Sequence, residues 1–222
     1  MTPATPTVTP HRRGHGAPVE AAVVIVVDDE AAMRSALQRL FFAAGMAVES
    51  YACGADLLSQ ARLDRPGCLL LDVKMPGMDG LEVQAALQQR AVDLPTIFLT
   101  GAADVPVAVA AMRAGAVDFI EKPFDNEDLL ARVRQAIQRQ QQQRLSTEES
   151  HELARRLATL SPREHEVLEQ IVAGKTSKEI ARILGGSHRT IEIHRTHLME
   201  KMAAQTLADL VRMRLQGGPP PG

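Results

Sequence analysis

The chain has 222 residues, 25 Lys and Arg against 27 Asp and Glu, a formal net charge of −2, and two cysteines. That length exceeds the usual size of one domain. No apolar run approaches the ~20 residues of a membrane-spanning helix, and Cys53 and Cys68 have the spacing of neither a metal site nor a disulfide framework.

Residues 1–20 are rich in Pro and Thr and lack the apolar core of a signal peptide, so a disordered tail is expected there. The next stretch alternates two patterns. Apolar runs near residues 22–27, 47–51, 68–71, 96–99 and 117–120 read as strands. Residues 30–44, 56–61, 81–89, 105–114 and 126–143 read as helices, the first with Met33, Leu37, Leu40 and Phe41 on one face. Such alternation predicts an α/β doubly wound five-stranded parallel sheet. Cys68 opens a buried strand and is expected to be a small core residue. The Gln140-to-Gln143 run has nothing to build a core from, and residues 138–156 read as a polar linker, partly helical.

The predicted strand ends carry the chemistry. Val23 to Val27 runs into Asp28-Asp29, and Leu69 to Leu71 runs into Asp72 and the turn at Pro76-Gly77. Later runs end at Thr100 and at Lys122-Pro123. Parallel α/β sheets hold their sites at the carboxyl edge, so three acids, a hydroxyl and an amine are expected to converge there. Clustered acids call for a hard cation, and Mg²⁺ takes carboxylate oxygens. A carboxylate so neutralised can attack a phosphoryl group, whose oxygens the Thr and Lys then hold.

Beyond residue 156 the pattern is helix and short turn. Ser161-Pro162-Arg163-Glu164 and Thr176-Ser177-Lys178-Glu179 read as capping boxes. Gly185-Gly186 is a turn, Ser187 caps a third helix reaching about Met202, and Thr206 opens a fourth with Leu207, Leu210 and Val211 inward. Two helices about a short Gly turn make a helix-turn-helix, whose second helix can enter a major groove. Charge agrees with two kinds of partner: residues 21–125 carry 14 acids against 8 bases, and residues 157–222 carry 7 against 9.

The landmarks Asp28-Asp29, Asp72, Pro76-Gly77, Thr100 and Lys122-Pro123 resemble the receiver domain of two-component response regulators. Leu160 to Glu164, Gly174, Glu179-Ile180-Ala181, Arg189-Thr190-Ile191 and His194-Arg195 resemble the LuxR-type helix-turn-helix. Together the chain resembles a FixJ-like member of the NarL/LuxR family. The resemblance implies a flavodoxin-like receiver at residues 21–137, a linker at 138–156, an all-α DNA-binding domain at 157–216 and a tail at 217–222.

It further implies that a sensor histidine kinase phosphorylates Asp72, with Thr100 and Lys122 assisting. Asp29, Asp72 and the Lys74 carbonyl would hold Mg²⁺, with Asp28 helping through water. Thr100 and Phe119 would form a switch that pairs two receivers through the 105–120 face, including Val107. On double-stranded promoter DNA, Glu192, Ile193 and Thr196 would face base edges, and Lys178, Arg189, His194 and Arg195 would sit near phosphates. A cytoplasmic transcription regulator, not an enzyme, follows, with RNA polymerase as a further candidate partner and no membrane. No histidine lies between Ala21 and Asp125, so the phosphate is expected from a separate kinase.

Two other readings stand beside this one. A haloacid-dehalogenase-type phosphatase also uses a strand-terminal Asp and Mg²⁺, but it carries a second Asp where this chain has Lys74. A DNA-binding regulator with a silent receiver would not need the full set of landmarks. The chain departs from the family at Gly186 and His188, where an aliphatic residue and a proline are usual, and this predicts a softer DNA-binding domain. It also differs at Ala102 and Ala103, beside the phosphorylation site.

Overall fold

The computed structural model describes residues 21–101 and 105–217, without the side chains of Val105 and Val107. The expectations placed on residues 1–20 and 218–222, on Ala102 and Ala103, and on the Val107 side chain therefore lie outside the described residues. The chain divides into two compact units, 1–141 and 142–222.

The first unit alternates β1 (Val23–Val27), α1 (Ala31–Ala43), β2 (Ala47–Tyr51), α2 (Gly54–Gln60), β3 (Gly67–Asp72), α3 (Gly80–Gln89), β4 (Thr96–Thr100), α4 (Val105–Arg113) and β5 (Asp118–Glu121). All pairings are parallel, in the order β2-β1-β3-β4-β5. Strands β1, β3 and β4 are buried along their whole length, which is why they read as unbroken Val, Ile and Leu runs. Successive side chains point to opposite faces. Ile25, Leu69, Leu71 and Phe98 join the core beneath α2 and α3, with Leu57, Val83 and Leu87. Val24, Leu70, Ile97 and Leu99 meet α1 and the first turns of the next helix, with Leu37, Phe41, Leu129 and Val133. Cys68 is fully buried here, and burial pushes its thiol pKa up.

The stretch expected to be a linker is helical throughout. Helix α5 runs unbroken over Asn126–Ala158. The reason is local: no Gly or Pro occurs in it, and Gln, Arg, Glu, Leu and Ala are good helix formers. The stretch also contributes to packing. In the first unit Gln140 is 2 % exposed; its Oε1 accepts from Gly67 N at 2.9 Å, and its Nε2 donates to the Asp93 carbonyl. A buried amide is tolerated because both ends find backbone partners. In the second unit Leu153 and Leu157 pack against the helical core.

That unit adds α6 (Pro162–Val172), α7 (Ser177–Leu184), α8 (His188–Met202) and α9 (Leu207–Gln216). Ser161, Thr176 and Thr206 close capping boxes, and Ser187 accepts from Thr190 N. Gly185 ends α7 at φ 66°, a left-handed conformation that suits glycine. Val167, Leu168, Ile171, Ile180, Ile191, Leu198, Met202 and Leu210 form one core. Leu207, expected inward, is instead exposed, since it occupies the first position of α9 and the inward face begins at Leu210.

Candidate functional site

Two strand-terminal residues and two that directly follow strands build the first site. Asp72 closes the central strand β3, Asp28 follows β1 on one side, and Thr100 closes β4 on the other. The chain order reverses between β1 and β3, and ligands of open α/β sheets bind at such a switch point. Asp28, Asp72 and Thr100 are all buried, at 0 %, 7 % and 3 % exposure. Lys122 arrives from β5, where its backbone N donates to Thr100 O at 2.6 Å and a cis bond to Pro123 follows. Its ammonium donates to Asp28 Oδ2 and to Asp72 Oδ1, each at 2.7 Å. Asp72 Oδ2 accepts from Lys74 N at 3.1 Å, and Asp28 Oδ1 accepts from Glu30 N at 2.8 Å. The turn after Asp72 is held tightly: Gly80 N donates to Val73 O at 2.9 Å, and a side chain at Gly80 would run into the Asp72 carbonyl and the Phe98 ring.

Two carboxylates thus share one ammonium. Burial raises the Asp72 pKa, the neighbouring Asp28 charge adds to that, and Lys122 and the Lys74 N–H only partly offset it. Burial works against the Lys122 ammonium, yet the two carboxylates outweigh it and its pKa is also raised. One ammonium set against two carboxylates leaves Asp72 short of compensation. A carboxylate destabilised in this way gains from any step that spreads or neutralises its charge.

Asp29 does not join the other two acids as expected. It is exposed, and its carboxylate has no hydrogen bond or ion pair among the described residues. Among those residues no three His, Cys, Asp or Glu side chains come together tightly enough to hold a metal. Mg²⁺ does not require that, because it keeps several waters and takes one or two carboxylates plus phosphate oxygens. An unpartnered Asp29 carboxylate one residue beyond Asp28, at the edge that Asp72 closes, fits that donor chemistry.

Phe119 stands in β5 opposite Phe98 and is half-buried against the β3–β4 face of the core. Around it, Val109 and Met112 of α4 and Val117 before β5 leave apolar surface in solvent, at 44 %, 50 % and 44 % exposure.

The second site is the outer side of α8. Arg189, Glu192, Ile193 and Thr196 are exposed there, while Ile191, Leu198 and Met202 are buried on the opposite side. Lys178 is exposed at the start of α7. His194 and Arg195 are half-buried at the flank, and His194 Nδ1 points inward without a hydrogen-bond partner among the described residues.

Helix α6 braces both helices of the motif. Arg163 donates to the Leu184 carbonyl at the end of α7. Glu164, 3 % exposed, accepts from Ser161 N at 2.7 Å and from Lys201 Nζ at 2.6 Å, joining α6 to the last turn of α8. Lys201 also reaches the Thr159 carbonyl at 3.2 Å, and Arg156 donates to Met202 O at 2.9 Å. Burial raises the Glu164 pKa, but Lys201 and the Ser161 bonds outweigh it and hold it at about 2. Sequence reasoning found Glu164 only as a cap and missed Lys201 and Gln140. Their partners lie 37 and 47 to 73 residues away, and no local pattern announces them.

Comparison with known proteins finds a family for each unit. The response regulator receiver domain matches residues 24–134, and the luxR family of bacterial regulatory proteins matches residues 158–214. The chain belongs to the two-component response regulators that carry a LuxR-type helix-turn-helix. It is 43 % identical to the transcriptional regulatory protein FixJ of Azorhizobium caulinodans, over 91 % of this chain and 96 % of that protein. It is 40 % identical to nodulation protein W of Bradyrhizobium diazoefficiens, over 90 % of each. Among solved structures, the response regulator StyR matches with a TM-score of 0.80 at 36 % identity, covering 88 % of this chain and 99 % of StyR. Among the described residues no helix is long and apolar enough to cross a membrane.

Proposed function

We propose that this regulator is switched by phosphorylation of Asp72 by a separate sensor histidine kinase, then dimerises and binds promoter DNA in the cytoplasm. The observation that carries this is Asp72 itself: a buried strand-terminal carboxylate, made unstable by burial and by Asp28, with Lys122 2.7 Å away. Asp72 attacks phosphorus through a carboxylate oxygen, and the bond from phosphorus to the donor's nitrogen breaks. Lys122, already bonded to Asp72, then shifts to a phosphoryl oxygen, and the Thr100 hydroxyl supplies a second hydrogen bond. Asp29, Asp72 and the Lys74 carbonyl would hold Mg²⁺, with Asp28 oriented behind them. When bound, the ion neutralises charge on the phosphoryl oxygens.

Movement of Thr100 frees space for Phe119, and the apolar Val109, Met112 and Val117 surface then receives a second copy. Two DNA-binding units joined in this way bind paired half-sites with an avidity gain of roughly 10²–10⁴. The test is intact mass after incubation with acetyl phosphate and Mg²⁺, with sedimentation of the same sample. One retained phosphoryl group and a shift to dimer are expected. Steady turnover of acetyl phosphate without an adduct would point to a phosphatase, and no reaction would point to a silent receiver.

A further inference from the structure

The side chains along the outer side of α8 differ in what they offer to a base pair. Glu192 is an acceptor only. Its side chain is 51 % exposed, and His188 Nε2, one turn earlier, stays 3.8 Å away, too far for a hydrogen bond. Ile193, 48 % exposed, offers only hydrocarbon. Thr196 donates its hydroxyl to the Glu192 carbonyl at 3.1 Å, so its proton is used inside the helix and its methyl is left for an outside contact. Between Glu192 and Thr196 the exposed side therefore presents one anionic acceptor beside two methyl surfaces.

The major groove answers such a set unevenly. Cytosine shows an amino donor with no acceptor beside it. Guanine and thymine show acceptors, which repel a carboxylate. Adenine shows its amino donor next to the N7 acceptor, so a carboxylate is half repelled there. The thymine methyl accepts apolar contact. Glu192 and Thr196 are separated by about 6 Å of helix rise, less than two base-pair steps of ~3.4 Å, so all three contacts fall within about three consecutive base pairs.

We propose that Glu192 selects a cytosine in each half-site, and that Ile193 and the Thr196 methyl select thymine at neighbouring positions. This rests on the DNA-binding reading above. The test is selection of duplexes from a random pool by the full-length protein treated with acetyl phosphate, followed by affinity measurements on the selected site. The selected half-site is expected to contain a cytosine flanked by thymine. Glu192→Ala should flatten the preference at that one position by roughly 10-fold, leaving the others intact. Glu192→Gln, which both donates and accepts, should move the preference from cytosine to adenine, an outcome that a folding defect cannot imitate. Replacing the thymine that faces Ile193 by uracil should weaken the unsubstituted protein more than it weakens Ile193→Ala. A selected site whose every position ignores both Glu192 variants overturns this readout while sparing the DNA-binding reading. Failure of the unsubstituted protein to select any sequence overturns both.

Discussion

Each unit buries an acid against a lysine, and the two pairs behave in opposite ways. In the second unit Glu164 meets Lys201 at 2.6 Å with the Ser161 N–H as a further donor, and its pKa falls to about 2. In the first unit Asp72 meets Lys122 at 2.7 Å but shares it with Asp28, and its pKa rises. One lysine per carboxylate makes a brace. One lysine for two carboxylates makes a group that is poised to react. The distinction separates a residue that holds α8 in place from the one proposed to accept phosphate.

The largest effect is expected from breaking the brace. Glu164→Ala removes a charge-assisted hydrogen bond and half of a capping box, a loss of about 2–4 kcal/mol. Hydrogen exchange should localise it to α6 and α8, with the sheet unaffected. Acid should have the same address. The Glu164 pKa in the fold is about 2 against an ordinary 4.5, so its stabilisation is complete above pH 4.5 and is lost as the pH falls towards 2. Protection of α8 should fade through that window in the unsubstituted protein and stay flat in Glu164→Ala.

Asp72 should show the reverse sign. Its folded pKa is raised above 3.8, so ionising it costs stability as the pH rises past that value. Asp72→Asn should therefore stabilise the receiver unit at neutral pH in metal-free buffer, by roughly 1 kcal/mol after the weakened Lys122 bond is set against the lost repulsion. A lower melting temperature for this variant would place Asp72 with the braces.

The smallest effect concerns Gly186. The position is exposed, its φ is not positive, and an added Cβ would meet only Arg163 Nη2 at 3.7 Å. Gly186→Ala should stabilise the second unit by about 0.4–1 kcal/mol, mostly by restricting the unfolded chain. Equilibrium denaturation of the two proteins side by side checks it. The softer DNA-binding domain expected from Gly186 is thereby narrowed to the freedom of the unfolded chain, because an added Cβ there would meet no core atom.

What could be read in advance was whatever is local. Apolar runs that stop at Asp28, Asp72 and Thr100 report both a buried strand and the edge where it ends, so the sheet and the edge that carries the candidate site were legible together. Capping boxes at Ser161, Thr176 and Thr206 are contained within four residues and were equally plain. The polar run after Ile137 misled because polarity argues for solvent, whereas Gln140 is buried by two distant backbone partners and Leu153 and Leu157 serve the second core. The Asp28-Asp29 pair was legible as two acids past a strand end, but not their different surroundings: Asp28 is buried against Lys122, and Asp29 is exposed. The Glu164–Lys201 brace spans 37 residues and leaves no trace in spacing.

The most direct test of the central claim compares the unsubstituted chain with Asp72→Asn after treatment with acetyl phosphate and Mg²⁺, read by intact mass. The account predicts a single phosphoryl group on the first protein and none on the second. An equal gain of phosphate by Asp72→Asn would contradict it.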